Sequence, residues 1–213
     1  MGLDLTLFMA DWDRLRTFPV EDRVDALEDA VWPPGRDIEL FEERAGKDGW
    51  LWPPDDGDGD GDGPAWCAEY SFHSTTGSYI WHARAGDGWD DMRAYAEPSL
   101  RAALDTFLAG LIWDAVPEEP GVLREYGGVF PAETDPGRAR LLLFSPPEAQ
   151  PERARAWERA APRLDELREP FALECAEWGG RPDTFEEFTV LLGEWGDVVT
   201  ESARRGWGLV GLP

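Results

Sequence analysis

The sequence has few of the side chains that usually bind nucleic acid or build disulfide frameworks. Lys47 is the only lysine, and 20 basic residues stand against 44 acidic ones, which gives a formal net charge of −24. A chain with this balance repels phosphate, so nucleic-acid binding through a basic face is excluded. Two cysteines, Cys67 and Cys175, are too few for a disulfide framework. We therefore expect reduced thiols and a cytoplasmic protein.

Long apolar runs are also missing. No run approaches the roughly 18 residues that would span a bilayer, and the first residues lack the basic start of a signal peptide. We expect no membrane association. With 42% apolar and 12% aromatic residues, a chain of 213 residues can bury a full core. The sequence therefore predicts a single domain over residues 1–213.

The hydrophobic pattern predicts an α+β fold, an antiparallel sheet with a central hairpin packed against about five helices. Period-two alternation indicates strands, and apolar residues at steps of three and four indicate helices. Strands are predicted at 3–9, 66–73, 78–84, 139–144 and 207–212. Helices are predicted at 20–31, 89–95, 98–115, 148–160, 162–177 and from Thr184, whose spacing to Glu187 fits a capping box.

An acidic, Asp/Gly-rich surface loop at 53–64 carries the sharpest motif. Residues 58–69 satisfy D-x-D-x-D-G-x5-E and resemble the EF-hand calcium loop. The resemblance implies Ca²⁺ bound by Asp58, Asp60, Asp62, the carbonyl of Pro64 and Glu69. The alternative is a solvated loop that holds cations only diffusely, because any Asp-Gly repeat produces the first half of the motif.

The predicted hairpin of 66–73 and 78–84 supplies the second candidate site. If Ser74 to Gly77 form its turn, Glu69 lies directly across from His82, and both histidines share one polar face. A carboxylate beside an imidazole can orient it as a general base, with Ser71 as a nucleophile. The alternative is an exposed sheet face with a cross-strand ion pair.

Asparagine is absent and Gln150 is the only glutamine, a bias that follows G/C-rich codons. The segments LDLTLFMADW and RPDTFEEF resemble an uncharacterised protein family of high-GC actinobacteria with no assigned activity. The resemblance implies a bacterial protein and no mechanism.

Three function classes remain. The first is a non-enzymatic acidic interaction protein, such as an immunity, antitoxin-like or inhibitor protein, that binds a basic partner. The second is a calcium-binding module built on residues 58–69, and the third is a small hydrolase or transferase using the hairpin. Residues 1–63 hold 18 acidic and 6 basic side chains, so the charge is concentrated in the first third of the chain. We expect the first class, since it accounts for this excess and requires no missing motif.

Overall fold

A five-stranded antiparallel sheet lies at the centre of the computed structural model, which describes residues 4–32, 49–53, 65–75, 78–113, 126–132, 141–175 and 182–213. The strands are β1 (Thr6–Ala10), β2 (Trp50–Leu51), β3 (Cys67–Tyr70), β4 (Leu143–Ser145) and β5 (Gly208–Leu212). They follow the order β2-β3-β1-β5-β4, with β1 in the middle.

Helices cover both faces of this sheet. They are α1 (Trp12–Leu15), α2 (Arg23–Val31), α3 (Tyr79–Met92), α4 (Pro98–Leu108), α5 (Gln150–Ala160), α6 (Arg168–Glu174) and α7 (Phe185–Arg205). The smaller core contains the buried side chains of α1 and α2, and the larger core contains those of α3 to α7. The predicted α+β fold with an antiparallel sheet is therefore confirmed.

The middle strand shows why the sheet separates two cores. Leu7 and Met9 point into the larger core, and Phe8 and Ala10 point into the smaller one. All four are fully buried. A strand buried on both faces carries apolar side chains at successive positions, which is the pattern at the end of β1.

The predicted strand at 78–84 is wrong, and the central hairpin with it, because Tyr79–Met92 form α3. The first residues alternate as a strand would, but the buried positions of the segment follow helical spacing: His82, Ala85, Gly86, Trp89 and Met92. A Cβ on Gly86 would lie 1.9 Å from the carbonyl oxygen of Ile112, so glycine permits the close approach. The strand β3 pairs with β1 and β2 instead.

The last helix follows its prediction closely. The Thr184 hydroxyl accepts a hydrogen bond from the backbone N–H of Glu187, and the Glu187 carboxylate accepts one from Asp183 N–H. Gly206, at φ 70°, adopts the left-handed conformation that ends α7. The apolar side chains that recur at helical spacing along α7 are buried throughout: Phe185, Phe188, Leu191, Leu192, Trp195 and Val199.

Candidate functional site on helix α2

The structure separates the three residues of the predicted catalytic hairpin. Glu69 lies in β3 between Phe8 and Leu51, on the sheet face that α2 covers. His82 lies in α3 and packs in the larger core on the other face. Among the described residues, no hydrogen bond joins Ser71 to His82. The predicted contact between Glu69 and His82 is therefore wrong, because residues 79–92 form a helix that crosses the opposite face.

The buried surroundings of His82 also oppose a role as general base. The imidazole is fully buried, and burial lowers its pKa to about 3. The indole N–H of Trp195 donates to His82 Nδ1 at 3.0 Å, and the Thr75 hydroxyl lies 3.2 Å from Nε2. An indole can only donate, so the proton of the neutral ring is on Nε2. This tautomer cannot take a proton from Thr75.

The predicted calcium ligands Asp58, Asp60, Asp62 and Pro64 lie outside the described residues, and calcium binding stays a prediction. Glu69 is described, and it belongs to a strand where an EF-hand has a helix. Its Oε2 accepts a hydrogen bond from the indole of Trp32 at 2.6 Å. A bidentate calcium ligand uses both carboxylate oxygens. A calcium ion bound in this way would therefore share Oε2 with the Trp32 N–H.

The strongest polar feature of the described chain is the outer face of α2. The helix buries Leu27 and Val31 against the sheet. Its solvent side, with the short 3-10 turn Val20–Asp22 before it, is acidic at every exposed position except Val20. We call this surface the α2 acidic face, and it consists of five exposed residues: Glu21, Asp22, Asp25, Glu28 and Asp29. No ion pair within the described ranges involves any of them.

The only basic residue of α2 is turned away from this face. Arg23 is 8% exposed. Its guanidinium donates to four backbone carbonyl oxygens, including Val129 O at 2.6 Å and Phe18 O at 3.0 Å. These bonds hold residues 128 and 129 against the start of α2. The guanidinium of Arg23 is therefore bound to carbonyl oxygens inside the fold and forms no ion pair with the five exposed carboxylates of α2 and the turn before it.

Trp32 and Glu69 extend the α2 acidic face at the end of the helix. The Trp32 side chain is 37% exposed, and its N–H holds the carboxylate of Glu69. Burial raises the pKa of Glu69, and the nearby carboxylate of Glu28 raises it further. The pKa of Glu28 is itself raised by burial and by repulsion from Asp25 and Asp29. The carboxylates are therefore close enough to repel one another.

Acidic residues elsewhere are often neutralised by arginine. Arg163 binds Glu97 and Glu166, while Arg168 binds Asp165 and Glu186. In α5, exposed glutamates are interspersed with exposed arginines. Among the residues that the structure places, the α2 acidic face has neither arrangement, so no ion pair described by the structure offsets its negative charge.

Sequence reasoning missed the α2 acidic face, although its signal is present. The acidic residues at 21, 22, 25, 28 and 29 occupy the positions that the apolar stripe of the predicted helix leaves to solvent. The Asp/Gly repeat at residues 55–62 is the more conspicuous acidic pattern in the sequence. Thr75 and Trp195, the partners of His82, carry no sequence motif, and their contacts depend on the tertiary fold.

Within the residues that the structure describes, no three His, Cys, Asp or Glu side chains are grouped to hold a metal ion. No described helix is both long enough and apolar enough to cross a membrane. No protein-family model, curated protein or solved structure matches this chain.

Proposed function

We propose that this protein is a non-enzymatic acidic interaction protein that binds a basic protein partner through the α2 acidic face. An immunity, antitoxin-like or inhibitor protein works in this way. The observation that carries the proposal is a set of five exposed carboxylates that form no ion pair with any described residue, beside an arginine that is buried against carbonyl oxygens.

Electrostatics supports this assignment. The Debye length is about 10 Å at 0.1 M salt, so the charges of one helix act together on an approaching protein. A concentrated field of one sign raises association rates about 10- to 1,000-fold and selects partners of opposite charge. Trp32, partly exposed beside the acidic residues, adds the kind of aromatic side chain that is enriched at binding hot spots.

The test compares three baits of matched design. The first is the wild-type chain, and the second replaces four residues of the α2 acidic face: Glu21→Gln, Asp25→Asn, Glu28→Gln and Asp29→Asn. The third is a control with the same change of charge on other exposed residues: Glu148→Gln, Glu152→Gln, Glu158→Gln and Glu169→Gln. Each bait is incubated with an extract of the native host, and bound proteins are eluted with rising salt and identified.

We expect the wild type and the control to retain the same basic protein and the α2 variant to lose it. The purified pair should associate more slowly as salt rises. The proposal fails if no partner binds at any salt concentration. It also fails if the α2 variant retains the partner as well as the control does. Binding would then depend on the net charge of the whole protein and not on the α2 acidic face.

A further inference from the structure

The C-terminal end of α2 lacks the positive charge that helix ends attract. The carbonyl groups of a last helical turn carry a partial negative charge, so a cation beside them is favourable. Helix α7 has Arg204 and Arg205 in its last turn, whereas α2 has no basic residue there. The carboxylates of Glu28 and Glu69 add further negative charge at this end, and no described cation pairs with either of them.

An indole ring and two carboxylates lie together at this end of α2. The Trp32 side chain is 37% exposed, and its N–H donates to Glu69 Oε2 at 2.6 Å. Glu28 lies one helical turn before Trp32, whose backbone N–H donates to Glu28 O. A ring face attracts a cation, and carboxylate oxygens accept paired hydrogen bonds from a guanidinium. These groups therefore suit a guanidinium.

The end of α7 shows how this chain binds an arginine with the same components. The guanidinium of Arg205 lies over the rings of Trp52 and Trp207, at 4.0 and 4.9 Å from their centroids. Its Nε donates to the carboxylate of Glu201 at 2.6 Å. Tryptophan, glutamate and a helix C-terminus therefore surround one guanidinium. The end of α2 combines the same three components without a described arginine.

Two further arginines are bound by a ring and carboxylates. Arg93 lies 5.2 Å from the ring centroid of Trp113, and it donates to both carboxylate oxygens of Asp105. Arg168 lies 4.5 Å from the ring centroid of Phe185 and donates to two carboxylates. A planar guanidinium can stack on a ring while its N–H groups reach carboxylate oxygens, and a lysine ammonium lacks this planar fork. The end of α2 therefore fits arginine better than lysine.

We propose, on the basis of the proposed function, that the C-terminal end of α2 binds an arginine side chain of the basic partner. The guanidinium lies over the exposed part of the Trp32 ring and donates to the carboxylates of Glu28 and Glu69. The hydrogen bond between Trp32 and Glu69 holds ring and carboxylate together before the partner binds, which lowers the cost of ordering them. The rest of the α2 acidic face attracts any basic surface, and this end selects arginine.

The test is an NMR titration that follows the indole N–H signal of Trp32, identified by its absence from the spectrum of Trp32→Leu. The probes are N-acetyl-arginine amide and N-acetyl-lysine amide, which carry the same charge, and both are added at 0.1 M salt. The arginine probe should shift the signal saturably in the wild type. The lysine probe should bind about 3- to 5-fold more weakly, because it loses the stacking and the paired hydrogen bonds.

Two carboxylate variants separate this end from the rest of the α2 acidic face. Glu69→Gln keeps an acceptor for Trp32 and removes the charge, so it should weaken binding of the arginine probe about 2- to 5-fold. Glu21→Gln removes the same charge about 10 Å away along the helix axis. Screening at 0.1 M salt limits the effect of a charge at that distance, so this control should bind the arginine probe as the wild type does.

Three results would overturn the proposal. The first is equal binding of the two probes, because the carboxylates would then attract any cation. The second is a response to the arginine probe that does not saturate, and the third is equal weakening by Glu69→Gln and Glu21→Gln. The comparison of probes uses the wild-type protein alone, so it remains decisive if a variant does not fold.

The same titration is independent of the extract experiment that tests the proposed function. If a basic partner is retained through the α2 acidic face and the two probes bind equally, the arginine site is rejected and the proposed function stands. If the arginine probe binds selectively and no partner is retained at any salt concentration, the arginine site stands and the proposed function is rejected.

Discussion

Gly196 of α7 faces Trp157 of α5 so closely that a Cβ at position 196 would lie 2.1 Å from the indole ring. Trp157 in turn stacks on Phe107 of α4, with ring centroids 4.8 Å apart. The indole of Trp157 therefore fills the space between α5 and α7. The absence of a side chain at position 196 makes room for it. This relationship connects α4, α5 and α7 in the larger core.

The contact predicts opposite effects for two glycines of the same helix. Gly193→Ala should stabilise the protein by up to about 1 kcal/mol, because alanine favours the helix and nothing lies within 4 Å of the new Cβ. Gly196→Ala should destabilise it by about 1–3 kcal/mol through overpacking against Trp157. Urea unfolding of the two variants measures both effects. Equal effects of the two changes would show that Trp157 does not occupy the position described.

His82 predicts a dependence of stability on pH. Its pKa is about 3 in the folded protein, against 6.5 as the ordinary value. Between these values the unfolded chain binds a proton that the folded chain does not. The contribution of the neutral His82 to the free energy of unfolding is therefore complete above pH 6.5, and it is lost as the pH falls toward 3. His82→Gln removes this titration while keeping one donor and one acceptor.

The wild type should lose about 2 kcal/mol more unfolding free energy than His82→Gln when the pH falls from 7.5 to 5. Urea titrations of both proteins at the two pH values give this difference directly. Other groups, including Glu97 and Glu201, whose pKa values are lowered to about 2, contribute equally to both proteins. Parallel losses in the two proteins would contradict a neutral, buried His82.

Local patterns predicted the elements whose own residues determine them. The Thr184 cap and the helix that follows it depend on neighbours within four residues, and both are confirmed. The pairing of β3 depends on β1 and β2, more than 15 residues away along the chain. Residues 78–84 alternate like a strand, and the contact with Ile112 that requires a glycine at position 86 depends on a distant part of the chain.

The candidate site was predicted less well than the fold, for a physical reason. Glu69 was identified from its spacing to Asp58, but its carboxylate is bound by Trp32, 37 positions away in sequence. The sequence predicts His82 on a polar surface, but the imidazole is buried against Phe72 and Trp195. A polar side chain that is satisfied by distant partners leaves no periodic signal.

Arg23 provides a third test, because its role depends on shape as well as charge. The guanidinium reaches four carbonyl oxygens at once, and a lysine ammonium cannot. Arg23→Lys should therefore cost about 3 kcal/mol, the loss of one or two hydrogen bonds to a charged group. Arg155→Lys, at an exposed position of α5, should change stability by less than about 0.5 kcal/mol. Thermal unfolding of both variants distinguishes shape from charge, and equal melting temperatures would reject the carbonyl contacts.

Glu69 predicts a stabilising substitution. Its pKa is raised in the folded protein, so the folded state favours the protonated carboxyl. That contribution is complete below pH 4.5 and is lost as the pH rises through the folded pKa. Glu69→Gln keeps an acceptor for Trp32 and removes the charge, so its advantage over the wild type should grow from pH 4.5 to pH 7. Melting temperatures at the two pH values measure this. Trp32→Phe, which removes the indole donor, should lower the melting temperature at pH 7.

The calcium loop can be tested through the same carboxylate. Glu69 Oε2 accepts the Trp32 N–H at 2.6 Å, and the strand holds the residue between Phe8 and Leu51. A calcium ion bound through both oxygens would share Oε2 with the Trp32 N–H, which weakens both interactions. We therefore expect the melting temperature to be the same in EDTA and in millimolar Ca²⁺. A calcium site would be detected in this comparison, because calcium at 100 times its Kd would add about 2.7 kcal/mol to the free energy of unfolding. The control carries serine at the three aspartates of the motif: Asp58→Ser, Asp60→Ser and Asp62→Ser. A calcium-dependent rise that this control abolishes would contradict the expectation, and Trp32→Phe should then bind calcium more tightly than the wild type.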